Sequence, residues 1–218
     1  MDIDDIIKSR RSIRAFLEKD VSPVIVKECL DAAIWAPSAT NQQPWEFIIV
    51  GGNELKNISE IVTNNFPSRM QEGDSFPEIP EENQKRQEEI FTAVAEAAQK
   101  DGMDGAAVFQ NSLCFFSAPA AVFFVSYSGC DTQCLLSIGA AVENFLLSAH
   151  SKGLGTCWLG IPLVCADDIA NYLNLPKTKQ LIAAVAVGYP DKSKEINNFK
   201  RPRTPAEELS KWIGFRKE

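Results

Sequence analysis

Pro119-Ala120-Ala121-Val122-Phe123-Phe124-Val125 runs seven residues without a polar side chain. A strand with one wet face alternates apolar and polar residues, so this unbroken run reads as a strand covered on both faces. Leu181 to Val187 repeats the pattern and is stopped by Gly188-Tyr189-Pro190. Trp45-Glu46-Phe47-Ile48-Ile49-Val50 is a third strand, ended by Gly51-Gly52, and Thr156 to Leu159 a short fourth. Helical patterns lie between them. Ser22 caps a helix with Pro23 at its first position, running to about Trp35 with Val26, Leu30, Ala33 and Ile34 on one face. Thr132 to Lys152 is the longest, with Ile138, Val142, Phe145, Leu146 and Ala149 at helical spacing. Shorter helices suit residues 4–9, 53–65, 83–100, 106–112 and 166–173. Strands too apolar to face water, with helices available on either side, argue a three-layer α/β or α+β sandwich.

Two regions fit that frame less well. Residues 66–82 carry Pro67, Pro77 and Pro80 with few large apolar residues, so they read as an exposed excursion. The wider stretch of about 64–105 is expected to be a variable helical excursion, an inserted or lid-like segment. After Lys200-Arg201-Pro202-Arg203, a short helix is expected over Pro205 to Trp212, within a C-terminal arm of about 197–218.

The chain has 218 residues, which favours one sizeable domain over two. Its 22 Lys+Arg against 29 Asp+Glu give a net charge of −7. That balance argues against nonspecific nucleic-acid binding, which draws its affinity from a basic field. An acidic N-terminus and the lack of a long unbroken apolar stretch predict a cytoplasmic protein, off the membrane. Six scattered cysteines without a Cys-x-x-Cys pair suggest neither a disulfide framework nor a metal site. The single histidine, His150, falls in a helix with no nucleophile motif beside it, so it reads as structural. No Gly-x-Gly-x-x-Gly follows the first strand, and no phosphate-cradling NTPase loop is present.

Cations in this acidic chain gather at its two ends: Arg10, Arg11 and Arg14, then Lys200, Arg201 and Arg203. If folding joins them they form an anion site, since a guanidinium fork makes parallel charge-assisted bonds to phosphate and Ser12 adds a hydroxyl. Otherwise they are two solvated charge runs. Ser38, Asn41 and Gln43 sit in a loop held between Pro37 and Pro44, with the donors and acceptors needed to bond the edge of an amide-rich heterocycle, unless the loop is only a turn. Gly153 to Gly160 is glycine-rich, so its backbone can approach a flat ligand closely or simply end a helix and enter a strand.

Taken together, Arg10-Arg11-Ser12-Ile13-Arg14-Ala15-Phe16, Ala36 to Trp45, Gly153 to Gly160 and Arg201-Pro202-Arg203-Thr204-Pro205 resemble the FMN-dependent nitroreductase family, in order and separation. The resemblance covers nearly the whole chain and is weakest over about 64–105. It implies an α+β fold, a three-layer α-β-α sandwich with a mostly antiparallel central sheet, assembled as a domain-swapped homodimer with FMN at the seam. It implies Arg10, Ser12, Arg201 and Arg203 as phosphate and ribityl ligands with Arg11 beside them, the spacing leaving Lys200 or Arg201 open for the phosphate. Arg14 resembles the family's cation near flavin N1 and the C2 carbonyl. Pro37, Ser38, Ala39, Asn41 and Gln43 would reach the flavin from the partner subunit. Backbone near Leu159 and Gly160 would face N5 and the C4 carbonyl. Some family members carry a glutamate beside the glycine corresponding to Gly160, where this chain has Trp158-Leu159.

The implied reaction needs no protein nucleophile and no metal. NAD(P)H would deliver hydride to flavin N5 and depart, and a small nitroaromatic, quinone or similar acceptor would follow by a ping-pong mechanism. A different flavin reaction on the same fold, reductive dehalogenation or flavin fragmentation, is the alternative. A noncatalytic flavin-binding protein is another.

Overall fold

The computed structural model describes residues 2–72 and 79–215. Among the described residues, four strands form one sheet: β1 (Glu46–Gly51), β2 (Ala120–Tyr127), β3 (Gly155–Leu159) and β4 (Lys179–Gly188). Their order is β1-β2-β4-β3 and every pairing is antiparallel. The helices are α1 (Ile3–Ser9), α2 (Pro23–Ala33), α3 (Gly52–Glu72), α4 (Glu81–Lys100), α5 (Gly105–Leu113), α6 (Thr132–Ser151) and α7 (Ala166–Tyr172).

The apolar run in β2 makes the sandwich because its alternate residues serve opposite layers. Val122 and Phe124 join α2 and α6 in one core cluster. Ala121, Phe123 and Val125 join α3 and α7 in the other. Size is complementary across the central pair: Phe123 lies opposite Ala184 and Phe124 opposite Ala183. Helix α6 is long and apolar enough to match a membrane span by length and composition. Ile138, Val142, Phe145 and Leu146 are nevertheless buried in the α2 side of the core, so it is a core helix of this sandwich. The cap expected at Ser22 is present: its side chain accepts from the Val24 amide, and Pro23 opens α2.

Two expectations are corrected. Helix α3 does not end at residue 65 but continues through Pro67 to Glu72. A proline inside a helix costs roughly 3 kcal/mol. Packing on either side of it offsets that cost: before it the Phe66 ring meets Phe109 edge-to-face at 5.5 Å, and after it the Arg69 fork donates to both Asp168 oxygens at 2.8 Å. Pro77 lies outside the described residues. Helices α3 and α4 flank one chamber. In the tail, the expected helix over Pro205 to Trp212 is only a 3₁₀ turn at Ala206–Leu209. It has no side-chain cap, and Leu209, Trp212 and Ile213 are exposed, so no core is present to drive a longer helix.

The N-terminal segment reaches the site by lying along the sheet edge. Ser12 bridges Thr156 on β3, the Ile13 amide donates to the Thr156 carbonyl at 2.9 Å, and Phe16 bridges Pro190. Glycine is required where this segment crosses. A Cβ on Gly155 would stand 2.7 Å from Ile13 Cγ1, and one on Gly188 would stand 2.7 Å from both Phe16 Cδ1 and Pro119 Cδ.

Candidate functional site

Folding brings the two cationic ends together. Arg10, Arg11, Ser12, Arg14, Arg201 and Arg203 line one small cleft of about 110 Å³. Arg201, not Lys200, is the tail cation beside Arg10. It donates through Nη1 to the Arg10 carbonyl and through Nη2 to the Lys8 carbonyl, the latter at 2.6 Å. Arg11 donates to the Phe199 carbonyl at 2.5 Å. Arg10 Nε donates to Glu143 Oε1 on α6 at 3.1 Å. Burial, then the charges of Arg11, Arg203 and Arg10, push the Arg201 guanidinium below its ordinary range. Like charges held this close are self-repelling, and an oxyanion in the cleft relieves the repulsion.

Two elements of this arrangement had no signal in the sequence. Asn197 is buried and staples tail to N-terminus: its Oδ1 accepts from the Arg14 amide at 2.8 Å and the Ala15 amide at 3.3 Å, while its Nδ2 donates to the Ala15 carbonyl at 2.8 Å and the Asp191 carbonyl at 2.9 Å. Glu143 steers Arg10 from a helix far along the chain. An asparagine in a polar tail and a glutamate on a helix look like ordinary surface residues until the fold is known.

Beside the cleft lies a chamber of about 910 Å³, also bordered by Ser12, Arg14 and Ile90. Trp158, Leu159 and Gly160 line it at the end of β3, and α3, α4 and α5 supply the other walls. Arg14 therefore stands at the junction of a cationic space and an apolar one. Its Nη1 donates to the Ser12 carbonyl at 3.3 Å.

Pro37, Ser38, Ala39, Asn41 and Gln43 line neither the cleft nor the chamber of their own chain. The loop is nonetheless built to a definite shape. Ser38 Oγ accepts from the Gln43 amide at 3.0 Å, and Thr40, Asn41 and Gln43 hold left-handed φ of 49°, 59° and 48°. For a β-branched residue such as Thr40 that conformation is strained, and strain of this kind persists only where surroundings impose it.

The fold gives His150 an unexpected partner, Ser9 Oγ at 2.7 Å from Nε2. The Ser9 hydroxyl also donates to the Asp5 carbonyl at 2.5 Å. With its one proton given to that carbonyl, Ser9 accepts from the imidazole N–H, the reverse of what a nucleophile and its base require. Burial, then Arg10 and Arg201, lower the His150 pKa from 6.5. The unfolded chain therefore binds the extra proton first as pH falls below 6.5, so stability is full above that value and declines below it. Thermal unfolding at low anion concentration is expected to show this decline between pH 7 and 5, and His150→Gln to flatten it. Equal pH dependence in the two proteins would remove His150 as the source.

The protein-family model described as "Nitroreductase family" matches residues 7–189. The chain is 27% identical over 223 residues to the 4-nitrobenzoate reductase of Pseudomonas putida, covering 98% of this chain and 96% of that protein. It is 26% identical over 219 residues to the chloronitrobenzene nitroreductase of Comamonas testosteroni, covering 97% and 96%. Among solved structures, the FMN and NADPH-dependent nitroreductase NfnB from Sphigopyxis sp. strain HMH superposes with a TM-score of 0.86 at 23% identity, covering 99% of this chain and all of that one. NfnB from Mycobacterium smegmatis, solved in complex with NADPH, gives 0.86 at 20% identity, covering 96% and 97%.

Proposed function

This chain belongs to the nitroreductase family, and from that premise we propose that it is a cytoplasmic, homodimeric FMN oxidoreductase that uses NAD(P)H to reduce a small nitroaromatic, quinone or similar acceptor by a ping-pong mechanism. One observation carries the reading: a cleft rich in guanidinium groups opens beside an apolar chamber, with Ser12, Arg14 and Ile90 common to both. A ligand with an anionic head and a flat ring fits that pair of spaces. The donor set suits FMN, since Arg10, Ser12, Arg201 and Arg203 would hold the phosphate and ribityl oxygens, with Arg11 reinforcing the positive field. FMN, when bound, supplies the chemistry by taking up hydride from NAD(P)H and releasing electrons to the acceptor.

The chain's own part is binding, orientation and electrostatics. Arg14 fixes a positive charge at the ring end of the site, where negative charge accumulates on reduction. Backbone at Leu159 and Gly160 borders the same end, among largely apolar walls. Pro37, Ser38, Ala39, Asn41 and Gln43 would complete the site from a second copy. Two facts support that assignment: the loop has a defined shape yet lines no part of its own chain's site, and Trp35 and Leu136 are 84% and 69% exposed. Apolar groups that large are common at subunit contacts.

The test is spectral and then mutational. The purified protein is expected to be yellow and to bleach on anaerobic titration with NADH or NADPH; an FMN-loaded protein that neither nucleotide bleaches would end the proposal. Arg10→Ala and Arg203→Ala are each expected to weaken FMN binding by about 1.5–3 kcal/mol, the scale of a hydrogen bond to a charged group. Fluorescence titration of the stripped protein with FMN measures it, and unchanged affinity in both variants would mean that the termini do not hold the phosphate.

A further inference from the structure

The chamber's lining is chemically one-sided. Aromatic and aliphatic walls come from α3 (Phe66, Met70), α4 (Phe91, Val94) and α5 (Phe109), and Arg14 is the one charged residue among the described residues lining it. The remaining polar groups are occupied or neutral. Ser112 donates its hydroxyl proton to the Phe109 carbonyl at 2.5 Å, and burial pushes the Cys157 thiol up to about 11, so it stays protonated. Met70, Phe91, Phe109 and Trp158 line the chamber yet remain between 40% and 62% exposed, apolar surface that the chain's own core does not cover. The volume of about 910 Å³ is at the upper end of small-molecule sites, roughly 300–1,000 Å³.

We infer that the part of this chamber not taken by the cofactor ring is the acceptor subsite and that it selects bulky, uncharged aromatic acceptors, of the size of two fused rings, over carboxylated single-ring nitro compounds. The inference rests on the flavin reading in one respect: Arg14, committed to the cofactor, leaves no cation among the described lining residues for an acceptor carboxylate. An unpaired carboxylate loses its hydration against such walls without compensation, whereas a flat apolar ring gains by leaving water. The relation to a 4-nitrobenzoate reductase therefore does not extend to the charge of the preferred acceptor.

The experiment compares 1-nitronaphthalene with 4-nitrobenzoate on the purified holoprotein. Calorimetric titration without reductant gives the ratio of affinities, and steady-state assays with NAD(P)H give the ratio of kcat/KM. Both ratios are expected to favour 1-nitronaphthalene by at least about tenfold, the range in which an apolar pocket separates ligands. Phe91→Arg, at an exposed helix position, is expected to cut the affinity ratio by about tenfold by giving the carboxylate a partner, while Phe91→Gln leaves more of it intact. Equal affinities in the parent, or a ratio that Phe91→Arg does not move, would overturn the inference. A flavin that NAD(P)H cannot bleach, alongside a preserved affinity ratio, would instead overturn the redox function and leave the chamber's selectivity standing.

Discussion

Phe124→Ala is expected to cost about 3–5 kcal/mol of stability, the range for removing a large buried aromatic. The Phe124 ring is fully buried and meets Phe47 edge-to-face at 5.2 Å and Phe145 at 6.0 Å, so one side chain ties β1, β2 and α6 together. Its opposite number on β4 is Ala183, too small to fill the space left behind. The cavity term should therefore add to the lost transfer energy. For a chain of this size each kcal/mol shifts Tm by roughly 2–4 °C, so a fall of about 6–20 °C is expected. Denaturant titration should show a lower midpoint at an unchanged slope. Phe91→Ala is the control: at 62% exposure Phe91 lies outside the core, and its loss should move stability by less than about 0.5 kcal/mol. A Tm for Phe124→Ala within about 2 °C of the parent, by the same scale, would mean that this aromatic stack is not what joins the layers.

The sandwich was legible because β2 and β4 are too apolar to touch water on either face, a property that composition alone exposes. Helix ends were less so. Pro67 signals a break when read locally, yet Arg69 finds Asp168 and Phe66 finds Phe109, partners 99 and 43 positions away. Long-range packing of that kind decides against a local propensity and is invisible in a window of sequence. The tail failed in the opposite direction: Leu209, Trp212 and Ile213 suit a helix that buries them, but within one chain all three stay exposed, Trp212 meeting the nearby Phe215 ring edge-to-face at 5.2 Å.

The site divides along the same line. Arginine is conspicuous in an acidic chain, so Arg10, Arg11, Arg14, Arg201 and Arg203 stand out on charge alone. Their convergence could not be deduced from spacing, because it depends on Ser12 and Ile13 riding the edge of β3 and on Asn197 gripping the Arg14 and Ala15 amides. Spacing also left Lys200 and Arg201 as equal candidates. Arg201 lines the cleft and reaches back to the Arg10 and Lys8 carbonyls, whereas Lys200 lines the outer groove alone of these two spaces, which favours Arg201 as the proposed phosphate ligand.

Arg14→Ala should separate the electrostatic role of the N-terminal cations from their binding role. The other arginines serve the cleft, but Arg14 lines cleft and chamber together. Its backbone amide is held by Asn197 at 2.8 Å and its guanidinium by the Ser12 carbonyl, so the charge is fixed before any ligand arrives. A fixed donor aimed at developing negative charge contributes about 2.7–4 kcal/mol, or roughly 10²–10³ in rate. Removing it is expected to slow NAD(P)H-driven reduction by that factor. If the whole effect lies in the reduced cofactor, the two-electron midpoint potential should fall by roughly 60–85 mV, at about 30 mV per 1.4 kcal/mol. Arg14→Lys should recover part of both, because a point charge remains without the planar fork. Arg203→Ala makes the opposite prediction, losing cofactor affinity while the potential stays near the parent value. Spectroelectrochemical titration of the three variants against the parent distinguishes the two roles. If Arg14→Ala left the potential unchanged and only loosened FMN, Arg14 would be one more phosphate ligand, and the charge that favours reduction would have to come from another part of the site or from the second copy.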